Sequence, residues 1–235
     1  MFNSLHAQKG VTAFGIQFKP IFPLNIVNTD GKVVRDDETG STLTIDVNSG
    51  YSMGATIRFG LTDRISIETG INYIVRNYSF ELTNNSFSPS SAELKFPGYQ
   101  LPLVGMVFVR LSENVYMNSS AGISFDMFPT QGVVSHDRDS IEYGLLEKNW
   151  VMLSLVANLG FEYRSKKSGY FYLGASYHNT FGDMADVIVS YKELNSNQYV
   201  KLVDPYPAVN GNYLSLDLRY YFNPEPRKKS VDAPE

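Results

Sequence analysis

The sequence predicts an all-β chain folded as an eight-stranded antiparallel up-and-down transmembrane β-barrel, and three observations carry that expectation. Apolar and polar residues alternate with period two in eight runs, each long enough for a tilted strand of about 9 to 11 residues to cross a bilayer. The links between the runs alternate strictly between short and long. Aromatic side chains are abundant, with 16 Tyr and 15 Phe in 235 residues, while charged residues are only 19%. Flat rings suit a pleated surface, and the charge fraction lies below the roughly 25% of a typical soluble domain. No stretch approaches the ~18 consecutive apolar residues of a spanning helix. The mean hydropathy of -0.19 is what two opposed faces average to.

In chain order, the first run sets Phe14, Ile16, Phe18, Pro20 and Phe22 against Gly15, Gln17 and Lys19. The second sets Tyr51, Met53, Ala55, Ile57, Phe59 and Leu61 against Ser52, Gly54, Thr56, Arg58 and Gly60. The third sets Ile65, Ile67, Thr69, Ile71, Tyr73 and Val75 against Ser66, Glu68, Gly70, Asn72 and Arg76. The fourth, from Gln100 to Leu111, is apolar on both faces, so its register stays open. The fifth has Val115, Met117, Ala121, Ile123 and Phe125 opposite Asn118, Ser120, Gly122, Ser124 and Asp126. The sixth runs from Val151 to Arg164 and the seventh from Phe171 to Phe181. The eighth is the cleanest, with Leu214, Leu216, Leu218, Tyr220 and Phe222 against Ser215, Asp217, Arg219 and Tyr221.

Short turns are expected at Thr62-Asp63-Arg64, Ser112-Glu113-Asn114 and Ser165 to Gly169, where the composition is that of tight antiparallel links. Long polar loops are expected at roughly Asn28 to Gly50, Thr83 to Ala92, Pro129 to Glu147 and Gly182 to Asn212. One rim is thus decorated and the other trimmed, the pattern of extracellular loops opposite periplasmic turns.

Alternation alone does not say which face points out. The polar face is rich in Gly, Ser, Asn and Thr, which suits a narrow lumen better than a water-facing surface. Lys19, Arg58, Glu68, Arg76, Arg110, Asp126, Glu162, Arg164, Asp217 and Arg219 are then expected to project inward and to pair, because an unpaired buried charge is very costly. Two aromatic girdles are expected at the interfaces. Phe59, Phe161, Tyr163, Phe171, Tyr220 and Phe222 form the one at the turn end, and Phe22, Tyr51, Tyr73, Phe181 and Tyr213 the one at the loop end.

The strand Leu214-Ser-Leu-Asp-Leu-Arg-Tyr-Tyr-Phe222 resembles the C-terminal assembly signal of bacterial outer-membrane proteins. The span 11–222 is similar to the small eight-stranded outer-membrane barrels of the OmpA-like transmembrane and PorT-like families. That resemblance implies a Gram-negative outer-membrane location, with both termini periplasmic and the long loops extracellular. It implies contact with outer-membrane lipid and lipopolysaccharide, and recognition of the last strand by the assembly machinery through strand addition. Ser4-Leu5-His6-Ala7-Gln8 reads like the end of a signal peptide or as an arbitrary start. The domain division is therefore 1–10 as leader remnant, 11–222 as barrel and 223–235 as a short periplasmic tail, too short for the peptidoglycan-binding domain of OmpA-type relatives.

Chemistry is sparse. Without cysteine there is neither a disulfide framework nor a thiolate ligand. The net charge of -4 and pI near 5.4 argue against nucleic acid. His6, His136 and His178 lack metal-ligand spacing, so no metal or cofactor is expected. One alternative stays open at Tyr177-His178-Asn179-Thr180, because some small outer-membrane barrels modify lipid A at the rim. It needs His178 as base, Ser176 or Thr180 as nucleophile and a carboxylate to orient the ring, although the deacylase pattern His-x-Ser-Asn is absent. A structural histidine is the preferred reading. The acidic stretch Arg35 to Gly40 reads as a solvated loop rather than a calcium loop. Asp139-Ser140-Ile141 resembles an O-glycosylation acceptor, and Arg227-Lys228-Lys229 a mobile basic tail. The expected function is a non-enzymatic structural or accessory subunit of an outer-membrane complex, with a protein partner.

Overall fold

The computed structural model describes residues 10–22, 32–84, 87–129, 132–136, 141–165, 167–192, 199–203 and 206–222. The leader, the tail with its basic cluster, Lys166, and Asp139 with Ser140 of the glycosylation triplet lie outside the described residues. Regular structure among the described residues is entirely β: β1 (Thr12–Phe22), β2 (Lys32–Asp36), β3 (Ser41–Gly60), β4 (Ile65–Asn84), β5 (Phe87–Arg110), β6 (Val115–Met127), β7 (Gly132–His136), β8 (Ile141–Glu147), β9 (Val151–Ser165), β10 (Gly169–Thr180), β11 (Asp183–Lys192), β12 (Tyr199–Lys201), β13 (Ala208–Asn210) and β14 (Tyr213–Tyr221).

The eight predicted runs map onto β1, β3, β4, β5, β6, β9, β10 and β14, each antiparallel to its neighbours. β1 pairs with β3 on one side, as in Phe14 opposite Ile57, and with β14 on the other, as in Ile16 opposite Tyr220. The path therefore returns on itself as a ring. The apolar faces point outward, with Phe14, Ile16, Leu159, Phe161, Leu173 and Leu218 all exposed, and the polar faces point in. β5 resists reading because its inner face is itself apolar: Val104, Met106 and Phe108 are buried in the lumen while Leu103, Val107 and Val109 face out.

The three short turns share one device, a hydroxyl accepting from the backbone two or three residues ahead. Thr62 Oγ1 accepts from the Arg64 and Ile65 amides at 3.2 and 3.0 Å. Ser112 Oγ accepts from Val115 N at 3.2 Å, and Ser165 Oγ from Ser168 N at 3.2 Å. Gly169 closes the last turn at φ 83°, a left-handed conformation that glycine adopts without penalty.

At the other rim the expectation of long polar loops is corrected. β3, β4 and β5, strands of 20, 20 and 24 residues, continue well past the barrel. β2 extends this sheet at its edge. A second sheet, ordered β12-β11-β8-β7 with β13 on β11, comes from the connections expected to be loops. The two sheets enclose a dry core of Leu43, Ile45, Phe80, Leu82, Phe96, Tyr143, Leu145, Val187 and Val189, among others. Phe80 stacks on Tyr143 at 5.9 Å between ring centroids. Side-chain bonds from Lys32 Nζ to Ala208 O at 2.8 Å and from Thr39 Oγ1 to Leu202 O at 2.9 Å tie the β2–β3 hairpin to the second sheet. The result is a folded cap on the barrel.

β3 changes phase between the two regions. In the barrel its even-numbered residues Ser52, Thr56 and Arg58 are buried; in the cap the odd-numbered Ser41, Leu43 and Ile45 are. The switch is a β-bulge: Asn48 pairs with Asn77 and Tyr51 with Val75, leaving Ser49 and Gly50 together opposite Arg76. A Cβ on Gly50 would collide with the Val75 carbonyl oxygen. β4 and β5 keep one phase throughout.

Candidate functional site in the lumen

The inward faces of the eight strands bring the predicted charges together in two clusters. The lower one, toward the short turns, centres on Glu68, Glu162 and Asp217. Glu68 takes Arg219 Nη1 at 2.7 Å and Arg58 Nε at 3.2 Å, together with the Tyr221 hydroxyl at 2.5 Å. Glu162 takes Arg58 Nη1 at 2.6 Å and Arg164 Nε at 2.7 Å. Asp217 takes Arg219 Nη2 at 2.6 Å and Lys19 Nζ at 3.2 Å, and accepts from Ser176 at 2.8 Å and Ser215 at 2.7 Å. Aromatic rings complete the cluster. Arg58 lies 3.9 Å from the Tyr221 ring centroid, Arg164 3.9 Å from that of Tyr116, and Arg219 4.8 Å from that of Tyr172.

The upper cluster lies beneath the cap and centres on Asp126. Its carboxylate contacts His178 Nε2 at 2.7 Å and accepts from Ser124 at 2.8 Å, Ser154 at 3.0 Å and Gln100 at 3.1 Å. Arg76 Nη2 stands off at 3.5 Å. Tyr213 stacks on His178 with 4.6 Å between centroids and donates to Gln100 Oε1 at 3.1 Å. Tyr213 was expected in the outer girdle at the loop end; it is buried in the lumen instead, because β14 already starts there with the inward phase of Ser215 and Asp217. The other girdle residues at that end, Phe22, Tyr51, Tyr73 and Phe181, stay partly or fully exposed on the outside. Arg110 is corrected too: it sits exposed at the turn rim, its Nε donating to the Ser112 carbonyl at 2.9 Å.

The residues considered for rim chemistry are separated. His178 is turned inward and held by Asp126, whereas Ser176 belongs to the lower cluster, giving its proton to Asp217 and accepting from Asn158 at 2.9 Å. The acidic stretch at Arg35 to Gly40 forms the β2–β3 turn, in which Asp36 Oδ1 accepts from the Glu38 and Thr39 amides at 2.9 and 3.2 Å. No group of three or more His, Asp or Glu among the described residues is placed to hold a metal ion. His6 lies outside the described residues, as does the His136 side chain.

Two features escaped sequence reasoning. Gln100, Ser124, Ser154 and Tyr213 form the setting of Asp126, and only their shared phase with it marks them. On the outside, Ile16, Phe18, Phe161, Phe171, Leu173 and Leu218 line an apolar groove of about 610 Å³ across β1, β14, β10 and β9.

No protein-family model and no curated protein sequence matches the chain. Among solved structures, it is similar to the outer membrane protein OprG from Pseudomonas aeruginosa, with 14% identity and a TM-score of 0.55 over 92% of this chain and 98% of that one. A COG4313 outer membrane channel from Pseudomonas putida F1 also aligns, with 9% identity over 94% of this chain and 98% of that one, at a TM-score of 0.27. The chain has the fold of an outer-membrane β-barrel.

Proposed function

We propose that the chain is an integral outer-membrane protein and a non-enzymatic structural or accessory subunit of a larger complex, whose barrel anchors the folded cap outside the cell. The observation that carries this reading is the cap itself. Three barrel strands run on into a dry-cored sandwich, which supports a folded surface on the exterior of the cell. Connections held on such a scaffold are where binding residues gather. Membrane integration is supported by the continuous belt of exposed apolar side chains around the ring, far larger than a water-facing surface tolerates. Aromatics at both ends of that belt and an outer groove able to take an acyl chain agree with lipid and lipopolysaccharide as its surroundings. Tight turns at one rim support an orientation with both termini in the periplasm and the cap outside. A PorT-like role in secretion, assembly or uptake follows from the resemblance in sequence pattern.

The cap edges offer the test. Val33 on β2 and Val200 on β12 are about half exposed. A photo-crosslinker at either position in intact cells is expected to yield one stoichiometric adduct that survives detergent extraction. Purification as a lone barrel, with no adduct from either edge, would overturn the subunit reading. Asp126 meets the carboxylate requirement of the lipid A alternative at His178, but Ser176 is engaged by Asp217 and the Thr180 hydroxyl makes no hydrogen bond to the ring. Altered lipid A in a deletion strain would revive it.

A further inference from the structure

The apolar groove on the outside of the barrel has a regular construction. One wall is the row Ile16, Tyr220, Phe171, Tyr163 and Val115, residues that sit opposite one another across β1, β14, β10, β9 and β6. The other is the row Phe18, Leu218, Leu173 and Phe161, two positions along the same strands. Between the rows lie Gln17, Arg219, Tyr172 and Glu162, whose side chains are buried in the lumen, so the floor is backbone already paired within the sheet. Five of the nine wall residues are aromatic, which makes the trough deep. Phe171 and Tyr220 lie 5.0 Å apart at 47° and stiffen one wall.

The dimensions suit one extended hydrocarbon chain. Walls two residues apart on a strand are separated by about 7 Å, room for a single chain between them. Five strands about 4.8 Å apart give a length of about 19 Å, somewhat more than the ~15 Å depth of one leaflet's hydrocarbon. The groove also slopes. Val115 is the first residue of β6, at the rim of short turns, whereas Ile16 is the fifth of β1. A chain lying in the groove enters at the rim beside β6 and climbs toward mid-wall at β1, the slant that keeps it within one leaflet.

Cations flank the entrance. Arg110, at the end of β5, pairs with Tyr116 beside Val115, and its guanidinium is anchored by the Ser112 carbonyl at 2.9 Å and the Glu113 carbonyl at 3.5 Å. Lys167 is exposed in the turn that follows β9. Among the described residues the three turns carry Arg64, Arg110 and Lys167 against Asp63 and Glu113, a net positive rim on a chain whose overall charge is -4.

We propose that this groove binds one acyl chain of an anionic glycerophospholipid, with its phosphate at Arg110 and Lys167. The assignment rests on the membrane reading above and deepens it, by fixing one lipid class to one place on the belt. Arg110 offers the phosphate directed hydrogen bonds, and Lys167 a point charge. A groove one chain wide suits a lipid of few chains better than lipid A, and the second chain stays in the surrounding belt.

The full chain, folded in detergent micelles, is titrated with phosphatidylglycerol, phosphatidylcholine or lipid A, and bound lipids are counted by native mass spectrometry. One phosphatidylglycerol is expected to bind about tenfold more tightly than phosphatidylcholine, the advantage of a net negative headgroup beside two cations. Replacing both cations, Arg110→Gln with Lys167→Gln, is expected to erase that preference. Leu173→Trp fills the groove midway and is expected to abolish the tight site, whereas Ile71→Trp, exposed on β4 across the ring, leaves it unchanged. Equal retention of the two phospholipids, preference for lipid A, or a tight site that survives Leu173→Trp would overturn the proposal. Should Leu173→Trp fail to reach the heat-modifiable folded form, Phe161→Ala, which removes part of one wall, decides, and unchanged affinity there sinks the site. Refolding into phosphatidylcholine vesicles followed by flotation separates the two failures. A chain that floats but holds no tight lipid loses only the groove site; one that does not float overturns the membrane reading as well.

Discussion

Below Arg76, strands β3 and β4 turn Arg58, Glu68 and Asn72 inward; above it, the same two strands turn Leu43, Ile45, Phe80 and Leu82 inward. The backbone pairing is the same in both halves, yet the fillings are opposite. What differs is the medium outside. Where the outer surface is an apolar belt, the inside must be polar and must satisfy itself, and it does so with paired charges and stacked rings. Where the outer surface is wet, the inside must be dry. One pair of strands therefore carries two solvent codes in succession, and the halves should fail in different ways.

The largest expected difference comes from Glu68→Ala. It leaves Arg58 and Arg219 each short of a partner in the lumen and is expected to destabilise the barrel by about 4 kcal/mol. Urea unfolding in lipid vesicles checks this, and the transition should move as a whole. Phe80→Ala in the cap removes a fully buried ring and its stack on Tyr143, at a cost of about 3 kcal/mol. Here hydrogen exchange should accelerate in β8 and β11 while the heat-modifiable gel shift persists. Equal acceleration in β9 and β14 would mean that the cap and barrel are one cooperative unit. Gly174→Ala probes the barrel by overpacking: a Cβ there would meet the Tyr172 hydroxyl and come within 2.7 Å of the Leu159 carbonyl oxygen. A loss of about 2 kcal/mol is expected, with no effect on cap exchange.

The smallest effect belongs to Lys148 on the cap surface, which reaches Asp183 at 3.1 Å and Asp186 at 3.2 Å. Hydrogen bonds to these carboxylates hold its ammonium above the ordinary lysine range. A raised lysine contributes stability at neutral pH and loses it only as the pH climbs through that raised value. Lys148→Met is therefore expected to leave the melting temperature unchanged at neutral pH in physiological salt, where such exposed pairs contribute little. A clear drop would show that the cap depends on its surface charges as the barrel depends on its lumenal ones. Within the cap core, burial pushes the Tyr78 hydroxyl up to about 12, so alkaline titration should spare it until the cap opens.

The barrel was legible because a bilayer-crossing strand gives a long alternating signal, and the hydroxyl-bearing turns punctuate it. The lumenal charges were legible as a set but not in their pairing. Which carboxylate meets which arginine depends on shear around the ring, and the phase of Tyr213 is set by Ser215 two residues on and not by its place at the rim. The cap was missed for a different reason. Ile141-Glu142-Tyr143-Gly144-Leu145 and Val187-Ile188-Val189 do carry the alternation, but each is too short to span a membrane and is surrounded by polar residues, so length alone argued for loops. Phe80-Glu81-Leu82 and Ala92-Glu93-Leu94 extend a barrel pattern that is already long enough to cross a bilayer without them.

The doubled residue at Ser49 and Gly50 gives β3 something like two reading frames. The frame used in the barrel has no meaning in the cap, and the extra residue is the shift between them, while β4 and β5 are read straight through. Removing that residue would turn Leu43 and Ile45 to water and Thr42 and Thr44 to the core without disturbing a single pairing below. A different cap grafted onto this barrel would have to supply the same offset on one strand of three. Lineages that change their cap while keeping their barrel should carry their insertions and deletions above this point.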